Sequence, residues 1–384
     1  MKKTCLKRNR KVFVAMSGGV DSSVAAALLK EQGYDVHSIF MRTWSPEGIH
    51  CTTRDDRFMA ARAAAHLGIP FAVWDFRNEY KKAVVDYMTN EYAAGRTPNP
   101  DVMCNKQIKF GVFLKKALEQ GADYVATGHY VKSITQGRVT LLAAKDSAKD
   151  QSYFLWTLTQ DQLKHCLFPI GDYEKSQVRE MARAWGLPNW DKKESQGLCF
   201  VGNIDFGYFL RTLMPKSEGL PAAQAGAVLT TAGEHIGTHD GAQFVTIGQR
   251  HGLNLSRKYH VSGIQGMTET KAHYVVERDM ATNTIVVAEE NNPALYHKEI
   301  NVTNVNWIMG EAPQMPLQCL ARIRYRQPLQ AACIRQHVSG KNNSMLPTTC
   351  YIIRFDEPQR AVAPGQSVVF YAEDGAMLGG GVIA

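Results

Sequence analysis

The sequence predicts an α/β protein that has a parallel sheet in its first half, followed by a small central domain and a C-terminal domain built from strands. Strand-like and helix-like segments alternate up to about residue 215, which is typical of a parallel sheet covered by helices on both faces. Beyond that point, helical periodicity fades and short alternating apolar runs appear among frequent Gly and Thr. The length of 384 residues, with 45% hydrophobic and 21% charged residues, suits two or three globular domains.

In the first half, the predicted strands and helices follow one another in regular order. Short apolar runs predict the strands, and longer runs of helix-forming residues predict the helices. In chain order the predicted elements are the strand Lys11–Met16, the helix Ser22–Gln32, the strand Asp35–Arg42, the helix Arg54–Leu67, the strand Ile69–Phe76, the helices Asn78–Ala94 and Lys106–Gln120, and the strand Asp123–Thr127. Ligands of parallel sheets bind beyond the carboxyl ends of the strands, so we expect a functional site in the loops that follow them.

In the second half, the pattern predicts strands separated by Gly-containing loops. The predicted strands are Thr284–Ala288, Cys319–Gln327, Tyr351–Phe355 and Gln366–Tyr371. Within the second of them, Arg322, Arg324 and Arg326 occupy alternate positions and would project from one face. Three guanidinium groups in a row suit the phosphate backbone of a nucleic acid. A solvated face paired with acidic residues is the alternative interpretation.

The pattern changes after about residue 215, from alternating strands and helices to strands separated by loops. The stretch Pro215–Gly226 (PKSEGLPAAQAG) is a candidate linker. We therefore predict an N-terminal α/β domain over residues 1–215, a small central domain over 216–282 and a C-terminal β domain over 283–384.

Charge and cysteine content narrow the class of protein. The net charge of +8 and the pI of about 9.0 suit a polyanionic partner without requiring one. No apolar run approaches the roughly 20 residues needed to span a bilayer, and the start lacks the apolar stretch of a secretory signal. We therefore expect a cytoplasmic protein. None of the eight cysteines is spaced C-x-x-C, so the sequence predicts neither a zinc site nor a structural disulfide.

The clearest motif is Ser17–Ser23 (SGGVDSS), which follows a predicted strand and opens a predicted helix. At such a place, backbone N–H groups and the helix dipole bind anions, and glycines let the backbone approach phosphates closely. Neither G-x-x-x-x-G-K-[ST] nor G-x-G-x-x-G is present. A glycine turn with a serine N-cap is the plain alternative. The whole heptapeptide resembles the pyrophosphate loop of ATP pyrophosphatases, which cleave ATP between its α- and β-phosphates.

Two cysteines lie in contexts that suit chemistry rather than packing. Cys104 follows Pro98 and Pro100 near the start of a predicted helix. A helix N-terminus lowers the pKa of a thiol and so favours the nucleophilic thiolate. Cys199 is bracketed by glycines and preceded by lysines, which indicates an exposed loop with basic surroundings. Most of the other cysteines are predicted to be small buried hydrophobic residues.

Seven segments together carry a more specific resemblance. In order they are SGGVDSS (17–23), NPDVMCNKQIKFG (99–111), ATGHY (126–130), KDQSYFL (149–155), GLCFVG (197–202), RYRQ (324–327) and LGGGVI (378–383). They resemble the bacterial tRNA-specific 2-thiouridylases, which place sulfur at C2 of the wobble uridine. The resemblance runs from about residue 11 to residue 384. It implies a pyrophosphate-loop catalytic domain, a central tRNA-binding domain and a C-terminal β-barrel that also binds tRNA.

The resemblance also implies roles for the matching residues. Cys104 matches the catalytic nucleophile, and Cys199 matches the cysteine that carries a persulfide. The implied ATP contacts are Ala15, Met16, Ser17, Gly18, Gly19, Val20, Asp21, Ser22, Met41 and Gly128. The implied contacts to the target base are Asn99, Pro100 and Asp101. The implied tRNA contacts are His129, Lys149, Asp150, Gln151, Arg324, Tyr325 and Gln366. No protein ligand to a metal is implied.

The reaction implied by the resemblance begins with adenylation of the uracil O2 by ATP, with Mg²⁺ screening the phosphates. The persulfide sulfur of Cys199 then attacks C2, or Cys104 first releases it as sulfide. Either route gives 2-thiouridine, AMP and pyrophosphate, and ends in a disulfide between Cys104 and Cys199 that must be reduced. The two sulfurs must therefore come within bonding distance, and the wobble base must leave the anticodon stack.

The implied partners are the tRNAs for lysine, glutamate and glutamine, and a cysteine desulfurase or sulfur-relay carrier protein. We expect a monomer. The sequence leaves open whether some of the cysteines hold an iron–sulfur cluster. One alternative is another pyrophosphate-loop ligase, such as a glutamine-dependent amidotransferase, although no G-x-C-x-G nucleophile elbow is present. The other is a non-enzymatic RNA-binding protein, which would tolerate serine at Cys104 and Cys199.

Overall fold

The structure, a computed structural model, describes residues 10–45, 53–193, 224–256, 272–337 and 350–384. It confirms the predicted fold class, with an α/β domain on a parallel sheet, a central β domain and a closed C-terminal barrel. Cys199 and most of the predicted linker Pro215–Gly226 lie outside the described residues. In the described ranges, no helix is long and apolar enough to cross a membrane.

The N-terminal domain contains the elements that alternate in the sequence. In chain order they are β1 (Lys11–Ala15), α1 (Val20–Glu31), β2 (Asp35–Arg42), α2 (Thr53–Leu67), β3 (Phe71–Asp75), α3 (Arg77–Tyr80), a π-helix (Lys81–Asp86), α4 (Tyr87–Ala93), α5 (Pro100–Met103), a second π-helix (Cys104–Val112), α6 (Phe113–Glu119), β4 (Tyr124–Ala126), β5 (Lys132–Gln136), β6 (Arg138–Leu142), a 3₁₀-helix (Ser152–Leu155), α7 (Gln160–Leu163), β7 (Cys166–Leu167) and α8 (Lys175–Ala184).

The main sheet of this domain has the strand order β3-β2-β1-β4-β7, and all its strands are parallel. Alternate side chains of β1 enter different layers of the core. Val12 and Val14 pack with Leu29 of α1, whereas Phe13 packs with Ile108 of the second π-helix. Because β2 and β3 lie on one side of β1 and β4 and β7 on the other, the strand order reverses between β1 and β4. Ligands of open α/β sheets bind at such a reversal.

The helix that carries Cys104 begins earlier than the predicted Lys106. It starts at Pro100, because the side chain of Asn99 accepts a hydrogen bond from the Val102 N–H (3.2 Å) and proline suits the first helical position. From Cys104 the helix widens to π geometry, and it returns to α geometry in α6. Segments of π-helix are uncommon and occur frequently at functional sites.

The central domain is a five-stranded sheet with the order β10-β9-β8-β12-β11. Its strands are β8 (Gly226–Thr230), β9 (His235–His239), β10 (Asn254–Leu255), β11 (His273–Asp279) and β12 (Thr284–Glu289). The sequence analysis placed β12 in the C-terminal domain, but it pairs with β8 and β11. Its apolar residues Ile285 and Val287 pack with Val228 and Val275. The hydrogen bonding of β12 therefore places the end of the central domain after Glu289 rather than after residue 282.

The C-terminal domain is a closed barrel with the strand order β13-β16-β15-β14-β17-β18. Its strands are β13 (Tyr296–Trp307), β14 (Leu317–Arg322), β15 (Gln330–His337), β16 (Cys350–Arg360), β17 (Ser367–Tyr371) and β18 (Met377–Ile383). Val302, Ile334, Ile353, Phe355 and Phe370 are fully buried in its core. Closure leaves none of these six strands with an unpaired sheet edge.

The predicted row of three arginines on one strand face is wrong. The strand β14 ends at Arg322, and the chain then turns, with Arg326 at a φ of 64°. Arg322 is buried, whereas Arg324 is half-buried and donates a hydrogen bond to the carbonyl of Ala361 (2.6 Å). The guanidinium of Arg322 is not on a solvated face, since it hydrogen-bonds to Asp150 of the N-terminal domain.

A buried ion pair between Asp150 and Arg322 joins the barrel to the N-terminal domain. Their side chains are 3% and 8% exposed, respectively. Arg322 also donates to the hydroxyls of Tyr371 (2.8 Å) and Ser152 (3.2 Å). The other carboxylate oxygen of Asp150 accepts hydrogen bonds from the N–H groups of Ala144 and Ser152, both at 3.1 Å. Buried charges are tolerated when they are paired and hydrogen-bonded in this way.

We expect Arg322→Met to destabilise the protein strongly, since it leaves the Asp150 carboxylate buried without its cation. Removal of one partner of a buried ion pair lowers the free energy of unfolding by about 3–5 kcal/mol. The matched control is Arg354→Met in the same barrel, because Arg354 pairs with Glu299 at 3.8 Å and both side chains are more than half exposed. For that control we expect about 0–1 kcal/mol. Calorimetric unfolding of both variants checks the difference, and equal effects would contradict it.

Candidate active site

The loop Ser17–Ser23 joins β1 to α1 at the point where the strand order reverses. The helix α1 begins after Gly19, and no side chain caps its first turn. Within the loop, the hydroxyl of Ser22 donates to the carbonyl of Gly19 (3.2 Å) and accepts from the N–H of Ser17 (3.2 Å). The hydroxyl of Ser23 donates to the same Gly19 carbonyl (3.1 Å). A compact loop at an uncapped helix N-terminus is suited to bind an anion.

Two residues that the sequence did not indicate hold this loop from outside. Asn189 donates from its side-chain amide to the carbonyl of Gly18 (3.1 Å) and to the hydroxyl of Ser23 (3.0 Å). Lys192 donates to the Gly18 carbonyl (3.2 Å) and forms an ion pair with Asp56. Asn189 and Gly18 are 171 positions apart, so no local motif could have indicated the contact.

Two glycines allow the close packing around the loop. Gly18 has a φ of +79°, and a Cβ atom at this position would lie 2.2 Å from the carbonyl oxygen of Asp56. Gly128 follows β4, and a Cβ atom there would lie 2.7 Å from the backbone nitrogen of Ser22. The predicted ATP contacts in the loop and at Gly128 are therefore neighbours in space.

The apolar residues among the predicted ATP contacts are buried. Ala15, Met16 and Met41 are 8%, 1% and 3% exposed, and Val20 is 4% exposed. Ala15 and Met41 belong to the same buried cluster as Cys104. Met16 and Val20 belong to two other buried clusters, so only Ala15 and Met41 connect the predicted ATP contacts to the core around Cys104.

Asp21, in the first turn of α1, is paired with a lysine that the sequence analysis also missed. The ammonium group of Lys175, at the start of α8, lies 2.6 and 2.8 Å from the two carboxylate oxygens of Asp21. The hydroxyl of Tyr130, two residues after Gly128, donates to the same carboxylate (2.9 Å). Asp21 is partly exposed, so the cluster combines a carboxylate, a cation and a phenol at the mouth of the loop.

Within the described ranges, no group of three or more His, Cys, Asp or Glu residues is placed to hold a metal ion. Asp21 supplies one carboxylate at the loop. A single carboxylate with phosphate oxygens and water is a normal ligand set for Mg²⁺, so the residues fit an ion that arrives with a nucleotide.

Cys104 is fully buried at the junction between α5 and the second π-helix. The neighbouring Asn105 is 2% exposed and donates from its side-chain amide to the carbonyl of Phe154 (3.3 Å). Among the described residues, none hydrogen-bonds to the side-chain oxygen of Asn105. A buried acceptor beside Cys104 is thus available to a ligand. Cys199, the predicted partner of Cys104, lies outside the described residues.

The predicted contacts to the target base form the first turn of the Cys104 helix. Asn99 is its N-cap, Pro100 its first residue, and Asp101 lies in its first turn. All three are half-buried. The side chain of Asn99 therefore caps the helix, so any contact with a base would have to be compatible with this role.

His129 is buried against the Cys104 helix. The ammonium group of Lys109, which lies in the second π-helix, is 3.3 Å from Nε2 of His129. Because an ammonium group can only donate, Nε2 is the acceptor, and Nδ1 carries the proton towards the hydroxyl of Thr127 (2.7 Å). Burial, together with the neighbouring cation, holds the pKa of His129 well below its usual value. His129 is therefore a neutral linker between the β4 loop and the helix.

The remaining predicted tRNA contacts fall into two groups. Lys149 and Gln151 are half-buried, and Gln151 accepts a hydrogen bond from the N–H of Tyr130 (3.0 Å). Asp150, between them, is buried in the ion pair with Arg322. Asp150 and His129 thus make their hydrogen bonds to other buried residues of the protein, and their contacts with RNA stay predictions.

In the barrel, Arg324, Tyr325 and Gln366 lie against the N-terminal domain or near it. The ring of Tyr325 packs on that of Phe154 with a centroid distance of 4.5 Å. The side-chain amide of Gln366 donates to the carbonyls of Thr97 (3.0 Å) and Pro98 (2.8 Å). The three residues therefore lie beside the segments that carry the predicted site, and their contacts with tRNA also stay predictions.

Three protein-family models match successive parts of the chain. Residues 10–203 match the tRNA methyl transferase HUP domain. Residues 217–289 match the tRNA methyl transferase PRC-barrel domain, and residues 297–383 match the aminomethyltransferase beta-barrel domain. The chain is thus covered almost from end to end by one set of models.

Relatives at high identity match over nearly the whole chain. The tRNA-specific 2-thiouridylase MnmA of Geobacillus thermodenitrificans is 45% identical over 377 residues, which cover 97% of this chain and 94% of the relative. The 2-thiouridylase of Lacticaseibacillus paracasei is 44% identical, covering 98% and 94%. That of Francisella philomiragia is 41% identical, covering 98% and 99%.

We expect Gly18→Ala to weaken ATP binding. The added Cβ would lie 2.2 Å from the carbonyl oxygen of Asp56, so the loop must shift, and a shift that costs the bound state about 1.4 kcal/mol lowers the affinity about tenfold. The control is Gly33→Ala, because Gly33 has a similar φ of +85° but nothing lies within 4 Å of the added Cβ. Calorimetric titration with ATP checks both variants. Equal losses would show that the effect comes from backbone strain in general.

We expect His129 to stay neutral as the pH falls from about 8 to about 6, the range in which an ordinary histidine begins to take up a proton. Because its pKa is lowered in the folded state, the unfolded chain binds a proton that the folded chain does not, so stability falls with pH below about 6.5. Imidazole ¹⁵N NMR checks the protonation state. Lys109→Met should raise the pKa of His129 only in part, since burial is the larger cause. A normal titration of His129 in the wild type would contradict its buried placement.

Proposed function

The chain belongs to the tRNA-specific 2-thiouridylase family, and from this membership we propose how its residues transfer sulfur to the wobble uridine. Members of this family are tRNA sulfurtransferases. The family models carry descriptions of methyl and aminomethyl transfer, whereas the relatives from Geobacillus, Francisella and Lacticaseibacillus are named 2-thiouridylases. The experiment below therefore distinguishes a methylated nucleoside from 2-thiouridine as the product.

One connected set of contacts carries the proposal. Gly128 packs against the nitrogen of Ser22 in the loop. The next residue, His129, hydrogen-bonds to Lys109 of the π-helix that begins at Cys104. A nucleotide bound at the loop and a base bound beside Cys104 would thus share one site.

The loop Ser17–Ser23 binds the phosphates of ATP through the backbone N–H groups at the start of α1. Lys175 and Lys192, which reach the loop from α8 and its C-terminal extension, add positive charge where pyrophosphate leaves. Asp21 is the residue that would hold Mg²⁺ beside the phosphates, and the ion would screen their charge. Binding the ion would require Asp21 to give up its contact with Lys175.

The sulfur chemistry takes place at Cys104 and Cys199. The uracil O2 attacks the α-phosphorus of ATP, pyrophosphate leaves, and C2 becomes electrophilic with AMP as its leaving group. In the direct route, the terminal sulfur of the Cys199 persulfide attacks C2 and AMP leaves. The Cys104 thiolate then attacks the sulfur of Cys199, which forms the disulfide and leaves the terminal sulfur on C2.

In the other route, the Cys104 thiolate attacks the Cys199 sulfur first and releases hydrosulfide, which then displaces AMP from C2. Both routes oxidise the two cysteines by two electrons, so a dithiol reductant must restore them before the next turnover. The routes differ in whether free sulfide is formed.

The partners and the location belong to the same proposal. The substrates are the tRNAs that accept lysine, glutamate and glutamine, and a cysteine desulfurase or a carrier protein supplies the persulfide. The protein acts as a monomer in the cytoplasm, where uncharged tRNA and reductant are both available.

We expect the wild type to convert unmodified tRNA to 2-thiouridine in the presence of ATP, Mg²⁺ and a desulfurase. Cys104→Ser and Cys199→Ser should abolish the product while tRNA binding is kept, because serine cannot carry or release the persulfide sulfur. Nucleoside mass analysis and a filter-binding assay check the two expectations.

The matched control is Cys333→Ser, since Cys333 lies half-buried in β15 of the barrel, away from the proposed site. It should retain full thiolation. A methylated nucleoside in place of 2-thiouridine, or thiolation by both cysteine variants, would refute the proposal. AMP release without thiolation would point to a missing sulfur-carrier protein.

A further inference from the structure

The segment Gly95–Pro98 links α4 to the helix that carries Cys104. It lies directly before Asn99, the N-cap of that helix. Thr97 and Pro98 are buried although they belong to neither a helix nor a strand. Their backbone groups must therefore find hydrogen-bond partners outside regular structure.

The central domain supplies one set of these partners through Arg278 in β11. Its guanidinium donates to the carbonyl of Gly95 (2.6 Å) and to the hydroxyl of Thr97 (3.5 Å), and also to the carbonyl of Val245 within its own domain. The planar, rigid guanidinium holds several acceptors at fixed angles, which a lysine ammonium does not do. Arg278 thus ties the linking segment to the central sheet.

The barrel supplies the second set of partners. Gln366 donates to the carbonyls of Thr97 (3.0 Å) and Pro98 (2.8 Å), and the carbonyl of Pro364 accepts from the N–H of Thr97 (2.8 Å). The linking segment is consequently held from two domains at once.

We propose that Arg278 is a positioning residue for sulfur transfer, acting through the segment Gly95–Pro98 to fix Asn99 and the Cys104 helix in their reactive placement. The inference rests on the proposed function for the roles of Asn99 and Cys104. Arg278 itself lies on another domain and touches neither residue. Its loss lets the segment move, and a misplacement of about 1 Å between reacting groups lowers a rate by about 100-fold.

A cavity of about 380 Å³ opens beside this contact, and its lining includes Gly95, Arg278 and Pro364. Arg278→Ala would enlarge it towards the carbonyls that the guanidinium now binds. Free guanidinium ion is small enough to enter and restore the hydrogen bonds. This makes chemical rescue a direct test of positioning, because rescue requires the rest of the protein to be folded.

The experiment compares the full-length wild type, Arg278→Ala and Glu277→Gln in single-turnover thiolation with persulfide-loaded protein and saturating tRNA. We expect Arg278→Ala to lower the maximal rate by about 10- to 100-fold, with unchanged tRNA affinity, and millimolar guanidinium chloride to restore much of the rate. Glu277→Gln is the matched control on the same strand, because Glu277 is exposed, and it should stay within about twofold of the wild type.

A double-mutant cycle with Gln366→Met gives a second readout. If both residues act through the same segment, the combined loss will be smaller than the product of the single losses. Should Arg278→Ala fail to fold, Arg278→Lys provides the same comparison, since lysine keeps the charge but cannot span Gly95 and Val245.

An unchanged maximal rate, a loss confined to tRNA affinity, or a lost rate that guanidinium does not restore would each overturn the inference. A wild type that makes no 2-thiouridine would instead refute the proposed function. The two failures are therefore distinguishable within one set of reactions.

Discussion

The reversal of strand order between β1 and β4 is the constraint on which the site depends. The carboxyl ends of these neighbouring parallel strands open into one crevice, with α1 leaving from the first and Gly128 following the second. The backbone at Gly128 lies so close to Ser22 that no side chain fits between them. Lys175 and Lys192 contact the loop of Ser22 from distant positions in the chain, and Met41 packs in the same buried cluster as Cys104.

The sequence predicted the sheet and its helices well because their signals are local. The predicted strand Asp35–Arg42 matches β2 residue for residue, and the loop Ser17–Ser23 is contiguous. The π geometry after Cys104 could not be predicted, since nine residues do not distinguish its period from that of an α-helix. The strand Cys319–Gln327 was predicted too long because alternation alone does not show that Arg322 has a buried partner 172 positions earlier. The place of β12 in the central sheet also depends on non-local pairing.

The same distinction between local and distant signals applies to the site. Residues in short motifs, such as Asp21 and Gly128, could be proposed as ATP contacts from the sequence, and these roles stay predictions. Asn189, Lys192 and Lys175 could not, because each reaches the loop from more than 150 positions away. Burial is a further property that motifs do not reveal. It places His129 and Asp150 among the structural contacts of the protein, whatever part they take with RNA.

The buried pair of Asp150 and Arg322 also limits how such chains can recombine. A barrel inherited without an arginine at this position would meet an N-terminal domain that still carries the buried carboxylate. The hybrid would begin with an uncompensated charge in its interdomain interface. Recombination between genes of this architecture can therefore exchange the whole coding sequence, or the N-terminal domain and the barrel together. Exchange of the barrel alone would be selected against wherever its residue at position 322 does not pair with Asp150.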